Sequence, residues 1–558
     1  MARQLMLDLL NDDVRAAAGE ARNELGEVFT RRWVVDLILD LAGYVPERDL
    51  ANLVAVEPAV GEGAFLGPMI DRLVASCALD GRRLEESEPA IAAFDVSTTN
   101  VERARKVVAA RLVDAEVTPE TAEWLAQRWI RCGDFLLDDL APESADFVLG
   151  NPPYVRLEDV PRDRSNVYRA AYRTMRGRSD IYVGFIERGL GLLRRGGTLG
   201  FIVADRWMHN QYGSALRHLV GRDFSVDCVI EMHDVDAFED EVSAYPAVTI
   251  LSRRRQGTAV LATTSNSFGA AEAQALRRWA LGRSRRARAV SFSAERLQTW
   301  FEGDSLWPSG DPARIALVTE LERTFPPLED SDTGTRIGIG VATGADKVFI
   351  TRDPGLVEED RLLPLAMAAD TASGDLLWSG SYLVNPWSDD RLVDLEHFPR
   401  MAAYLQNHEA VLRARHVGQR HSGAWYRTID RVDPALQNLP KLLIPDMKAS
   451  SHPVLDDGVT YPHHNLYFVV SRLWDLEVLG GLLLSEVANM FVGTYCVKMR
   501  GGTYRFQAQY LRRIRVPDPT TISKASARAL ARAFDARDAE AATAIAMGLY
   551  HLAELPAR

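Results

Sequence analysis

Short apolar runs alternate with longer amphipathic stretches along the first half of this chain. "NLVAVEPAVGEGAFL" (52–66), "AIAAFDVS" (90–97), "SADFVLG" (144–150), "GTLGFIVADRW" (197–207) and "AYPAVTILSRR" (244–254) each hold a near-continuous apolar run, which predicts buried strands. "RRWVVDLILDLAGYV" (31–45), "FLGPMIDRLVASCAL" (65–79), "NVERARKVVAARLV" (100–113) and "IYVGFIERGLGLLRRGG" (181–197) have helical spacing, the last closed by its two glycines. Repeated strand–helix units with apolar strands predict the α/β class: a doubly wound, mostly parallel sheet with helices on both faces. Ligands on such sheets sit at the carboxyl ends of the strands.

The pattern changes downstream. "TRIGIGVATGADKVFIT" (335–351), "LPKLLIPDMK" (439–448), "GVTYPHHNLYFVV" (458–470) and "GGTYRFQAQYLRRIRVPDP" (501–519) predict short strands among turns, and "VLGGLLLSEVANMFV" (478–492) a helix. The expected division is therefore an α/β domain over 1–255, a polar, Arg-rich bridging segment over 256–330, and a C-terminal mixed α+β domain over 331–558.

With 558 residues, 47% of them hydrophobic, the chain can bury large cores. No apolar run approaches the roughly 18–20 residues of a membrane span, and the N-terminal "MARQLMLDLLNDD" lacks a signal-peptide pattern. Cys77, Cys132, Cys228 and Cys496 are scattered, with no CxxC pair and no Cys/His cluster of zinc spacing. A reduced, cytoplasmic protein without a metal is expected. The net charge of −12 argues against a nucleic-acid partner. Its distribution argues the other way, with basic clusters at 252–257, 277–288 and 500–515. Solvated surface charge would produce the same clusters.

Three loops carry candidate chemistry. Glu57 begins "EPAVGEG" after the first strand, where Gly61 and Gly63 allow a tight turn and close approach to a ligand. A carboxylate beside that loop can pair with a ligand ammonium, which a phosphate-binding loop would avoid. Asp95 ends the second strand, placed to accept from two ribose hydroxyls. Asp134-Phe135 pairs an acid, suited to an exocyclic amine, with a ring suited to a base face. An ordinary βα turn, or an acid at a helix N-terminus, would look the same in any one loop. In this order they describe a pocket for S-adenosylmethionine.

"GNPPYVRLEDV" (150–160) follows another strand. An exocyclic amine is a poor nucleophile because its lone pair is conjugated into the ring. Two acceptors aimed at its N–H bonds would pull it toward sp³ geometry. The Asn151 side-chain oxygen and the Pro152 carbonyl are candidates, and proline stiffens both positions. Tyr154 offers a face on which a flipped base could stack. A Pro-rich turn ending a strand is the plainer alternative.

"EPAVGEGAFL", "GDFLLD" and "NPPYV" resemble three motifs of the amino-methylating DNA methyltransferases. With "GEVFTRRWVVDLILDLA" (26–42) ahead of them, their order is similar to the gamma class, and above all to TaqI-like N6-adenine enzymes. That resemblance covers roughly residues 24–255, and "GIGVATGADKVF" and "YRFQAQYLRRIRVPDP" look like the start and end of the family's recognition domain. It implies the S-adenosylmethionine-dependent methyltransferase fold with a C-terminal target-recognition domain, acting on double-stranded DNA within a restriction–modification or other defence system. Glu57 and Ala59 would contact the methionine portion of the cofactor, and Thr30 would sit at the family's Thr-Pro position on the cofactor side, although Arg31 stands where the family usually has proline. Asp95 and Val96 would hold ribose and adenine, and Asp134 and Phe135 the adenine. Gly61, Gly63, Asn151 and Pro153 complete the cofactor side. Asn151, Pro152 and Tyr154 would hold the target adenine, with Phe238 packing on it. Arg500, Arg505, Arg512 and Arg513 are candidate DNA contacts. N4-cytosine methylation needs the same clamp and stays open, as does a DNA-binding scaffold subunit with a degenerate methyltransferase fold. The recognition sequence, any cognate nuclease and the oligomeric state are not legible.

Overall fold

The computed structural model describes residues 29–239, 245–298, 300–301, 303–388, 391–496 and 503–556. It divides into two compact units, Met1–Ala316 and Leu317–Arg558.

The first unit is built on a ten-stranded sheet. Its strands are β1 (Ala55–Glu57), β2 (Ile91–Asp95), β3 (Ile130–Cys132), β4 (Ala145–Gly150), β5 (Leu193–Ala204), β6 (Ser225–Glu231), β7 (Pro246–Ser252), β8 (Ala259–Thr264), β9 (Arg286–Arg288) and β10 (Phe292–Leu297). They lie in the order β3-β2-β1-β4-β5-β7-β6-β8-β10-β9. The first five are parallel, and β7 enters antiparallel between β5 and β6. Because side chains alternate across a strand, neighbours such as Phe147 and Val148 feed opposite cores. Phe147 joins a core with Ile38 of α1 (Arg32–Ala42), Met69 of α2 (Leu66–Asp80) and Leu112 of α3 (Thr98–Asp114). Val148 joins the other, with Tyr168 of α4 (Arg162–Ala171), Ile186 of α5 (Tyr182–Leu192) and Val220 of α6 (Ser214–Asp223).

Two expectations need correction. The helix predicted over 181–197 ends at Leu192; Leu193 already starts β5, with Gly196 at φ 82°. The segment 256–330 is no simple bridge: β8, β9 and β10 extend the sheet, and helix α7 (Ala270–Leu281) packs beside α1. Its arginines disguised it. Arg277 pairs with Asp40 at 2.6 Å and Arg286 with buried Glu295 at 2.8 Å, so charge that suggested solvated linker is neutralised within the fold.

The second unit holds two four-stranded sheets. Arg336–Ile339, Leu466–Val470, Lys441–Pro445 and Val454–Asp456 form one; Ile350–Thr351, Tyr382–Val384, Leu362–Ala366 and Tyr461–Pro462 form the other. The helix expected over 478–492 is two, Leu476–Leu484 and Glu486–Tyr495, bent by 63° at the break. Ser485 sits there as N-cap, its hydroxyl accepting from the Ala488 N–H. Among the described residues no single helix is long and apolar enough to cross a membrane.

Candidate active site

The loops singled out in the sequence converge at the carboxyl ends of β1, β2 and β4. Thr30, Glu57, Ala59, Gly61, Asp95, Val96, Asp134, Phe135, Asn151, Pro152 and Pro153 line one cavity. Gly61 and Gly63 take φ of 52° and 90°, the left-handed region where a side chain is strained. The loop is stitched to β2: the Val60 N–H donates to the Phe94 carbonyl (2.9 Å) and the Gly61 N–H to Asp95 Oδ2 (2.8 Å).

Glu57 is 1% exposed, and its Oε2 has no hydrogen-bond partner among the described residues. Burial, with the Asp95 charge adding to it, pushes its carboxyl well above the ordinary value of 4.5. A buried acceptor facing a cavity without a counter-charge is what a cationic ligand group would complete. Asp95 is more occupied than expected. Its Oδ1 accepts from the Ser97 N–H at 2.8 Å while Oδ2 holds Gly61, so it braces the glycine loop as well as lining the cavity.

Asp134 is equally built in. Its Oδ1 accepts from the Leu136 N–H (3.0 Å), and its Oδ2 from the Tyr168 hydroxyl (2.5 Å), with Arg164 at 3.4 Å. Burial raises its pKa, and Arg164 and the hydrogen bonds oppose the rise. Phe135 lies against Phe185, ring centroids 5.4 Å apart and 30° between planes. Arg164 and Tyr168, four residues apart on one face of α4, escaped the sequence reading. Their spacing beside an acid of the preceding loop was the available signal.

Asn151 leaves the tip of β4. Its Nδ2 donates to the Thr30 hydroxyl at 3.2 Å, which fixes the orientation of the amide. Thr30 is held in turn by a short bridge to Phe238, flanked by hydrogen bonds from the Arg31 N–H to the Ala237 carbonyl (3.0 Å) and from the Glu239 N–H to the Phe29 carbonyl (2.9 Å). Arg31 also donates its Nε–H to the Phe238 carbonyl at 3.0 Å. Proline at 31 could make neither Arg31 bond, so the departure from the family pattern has a structural use. Tyr154 is half-buried. Its hydroxyl donates to the Ile202 carbonyl at 3.2 Å, and its ring meets Phe238 edge-on with centroids 6.1 Å apart. The loop carrying Phe238 starts at the end of β6, where His233 Nε2 lies 2.5 Å from the fully buried Asp205 Oδ2.

The C-terminal arginines do not join this picture. Arg505 pairs with Asp446, and Arg512 with Glu329 at 2.5 Å. Arg513 pairs with Glu322 at 2.9 Å and covers the Tyr495 ring. Each of these three guanidinium groups is engaged inside the second unit, with the Arg505 and Arg512 side chains still partly exposed. Arg500 lies outside the described residues.

The chain matches known proteins along its length. It is 42% identical over 538 residues to the type II methyltransferase M.XhoI of Xanthomonas vasicola, spanning 95% of this chain and 98% of that one. The chain belongs to the type II methyltransferase family. M.PaeR7I of Pseudomonas aeruginosa, another type II methyltransferase, is 43% identical over 540 residues, 94% of this chain and 92% of its own. The family model for the Eco57I restriction-modification methylase matches residues 100–238. Among solved structures, the type IIL restriction-modification enzyme MmeI in complex with DNA covers 94% of this chain and 74% of its own, with a TM-score of 0.57 at 11% identity, a likeness of fold. As a type II methyltransferase, the protein is a DNA methyltransferase of restriction–modification and takes S-adenosylmethionine as cofactor.

Proposed function

We propose that the protein methylates the exocyclic N6 amine of an adenine flipped out of duplex DNA, in a sequence-specific manner. The observation that carries this reading is that Asn151, Pro152 and Pro153 line the same cavity as Glu57, Asp95 and Asp134. A target amine held by the strand tip therefore shares one enclosure with the methyl donor.

In this reading Glu57 pairs with the cofactor's ammonium, Asp95 and Val96 face its ribose, and Asp134 and Phe135 its adenine. The bound cofactor supplies a methyl group on a positively charged sulfur. Asn151 Oδ1 and the Pro152 carbonyl accept the two N–H bonds of the amine and turn its lone pair toward that methyl. Transfer of that methyl to the nitrogen would leave the amine one proton to give up to water. Donation of Nδ2 to Thr30 supports this role, because it commits the amide so that the carbonyl end is the one offered to substrate. Tyr154 and Phe238, set edge to face, form the corner against which the flipped base rests. The second unit is the target-recognition domain that reads the flanking base pairs.

The test is to incubate the protein with S-adenosylmethionine and unmethylated duplex DNA and map modified bases by sequencing and mass spectrometry. N6-methyladenine at one recurring sequence is expected. N4-methylcytosine in its place would overturn the adenine assignment, and no base modification would overturn the enzymatic reading.

A further inference from the structure

The second unit contains a cluster that the methyl-transfer reading does not use. His463 and His464 stand side by side, ring centroids 4.1 Å apart. His463 is 1% exposed, yet neither of its ring nitrogens has a hydrogen-bond partner among the described residues, and neither does His464 Nδ1. Buried imidazoles ordinarily satisfy at least one nitrogen. The third member comes from a distant part of the chain. Asp346, at the start of the short helix Asp346–Phe349, brings Oδ2 to 3.4 Å from His463 Nε2.

That separation is long for a hydrogen bond. It matches the edge of a tetrahedron whose centre lies about 2.0–2.1 Å from each donor. One ligand atom from each of the three residues falls within 4.8 Å of the other two. We propose that Asp346, His463 and His464 form a site for a divalent transition-metal cation of the zinc class.

The surroundings suit a ligand set. The Thr343 hydroxyl, itself buried, donates to Asp346 Oδ1 and so aims Oδ2 at the histidines. Outer partners of this kind orient metal-binding carboxylates. The backbone already brings the segments together: Val341 bridges His463, and the His464 N–H donates to the Val341 carbonyl at 3.0 Å. A cavity lined by Thr343, Asp346, Lys347 and His464 reaches the site and gives an ion a path in. Two imidazoles and one carboxylate favour zinc, cobalt or nickel over magnesium or calcium. The bound ion clips "GVATGADKVF" to "YPHHNLYF", fastening the start of the second unit's first sheet to its middle.

The test uses the full-length, tag-free chain, stripped with a chelator and titrated with Co²⁺, then competed with Zn²⁺. Binding of one Co²⁺ per chain with a visible d–d spectrum is expected, displaced by Zn²⁺. D346N and H464Q, at partly exposed positions, should lose at least tenfold in affinity with unchanged circular dichroism. T343V should weaken binding about 10–100-fold, as outer-partner changes do. A chain that binds no Co²⁺ or Zn²⁺, or binds them equally well after H463Q or D346N, would overturn the site. Because the readout is metal uptake, failure here leaves the methyl-transfer assignment untouched.

Discussion

Asn151 gives its side-chain N–H to the Thr30 hydroxyl at 3.2 Å, across 121 positions of sequence. The bond decides which end of the amide faces a substrate. Asn151→Ala should therefore lower methyl transfer to duplex DNA by about 10²–10³-fold, the range for losing one preorganised catalytic hydrogen-bonding group. Cofactor affinity should change much less. Thr30→Val leaves the buried amide donor unsatisfied, at about 1–3 kcal/mol, and should lower kcat by roughly tenfold or more. Thr30→Ser should restore most of it. Single-turnover rates on a duplex substrate check both, and full activity in N151A would remove the clamp from the mechanism.

Glu57 is expected to make cofactor binding release a proton. Its buried carboxyl, raised above the ordinary value of 4.5 by burial and by Asp95, retains a proton in the free protein to a higher pH than an exposed glutamate would. An arriving ammonium reverses that balance. Titration calorimetry in two buffers of different ionisation enthalpy should give different apparent heats, and affinity should rise as pH rises through the raised pKa. Glu57→Gln should abolish the buffer dependence and weaken binding by about 3–5 kcal/mol, as breaking a buried pair does. Identical heats in both buffers for the native protein would count against the pairing.

These residues were legible because the cofactor loops follow apolar strands, and a parallel sheet collects such loops at one edge. Glu57, Asp95 and Asn151 each end or follow a strand predicted from the sequence, whereas Asp134 follows the short β3, which the apolar pattern does not reveal. What bound them to their neighbours was not legible. Arg31 reads as a mismatch until its N–H and Nε–H are seen on Ala237 and Phe238. The three short strands after residue 255 hid behind arginines such as Arg277, whose partner Asp40 is more than 200 positions away. The Asp346–His463 pairing links residues 117 apart, invisible to a search for metal-ligand spacing within one segment. In each case the missing information was long-range contact, which local periodicity does not encode.

Tyr154 and Phe238 should act as a coupled pair. Their rings touch edge-on at 6.1 Å, so each holds the other's orientation. Tyr154→Phe loses only the bond to the Ile202 carbonyl, about 1 kcal/mol. Tyr154→Ala and Phe238→Ala should each reduce the fluorescence rise of 2-aminopurine at the target position. The double variant should fall short of the sum by about 0.5 kcal/mol or more, as residues in contact do. Strictly additive effects would mean the two rings serve different steps.

The last prediction concerns pH. Asp205 lies at the end of β5, fully buried, 2.5 Å from His233. Burial works against a charged His233, but the Asp205 carboxylate, with Glu231 and Asp234 adding to it, pushes the imidazole up to about 9. Burial likewise opposes a charged Asp205, and His233 and His209 outweigh it, holding the acid below its ordinary range. Arg206 lies over the Tyr245 ring, which in turn stands against His233. The sign follows from linkage. His233 is raised in the folded state, so its share of the stability is complete below its unfolded value of about 6.5 and lost as pH rises through about 9. Asp205 is lowered, so its share is present above about 3.9 and lost on acidification. Because the pair pins the start of the loop that carries Phe238, both Tm and base-flipping amplitude should decline between pH 6.5 and 9 in the native protein. His233→Gln should flatten that decline and bring the neutral-pH values down to the alkaline ones. Asp205→Asn should do the same while leaving cofactor affinity intact, since neither residue lines the cofactor cavity. A Tm of the native protein that is flat across this range, with H233Q equally stable, would show that the pair does not hold the loop.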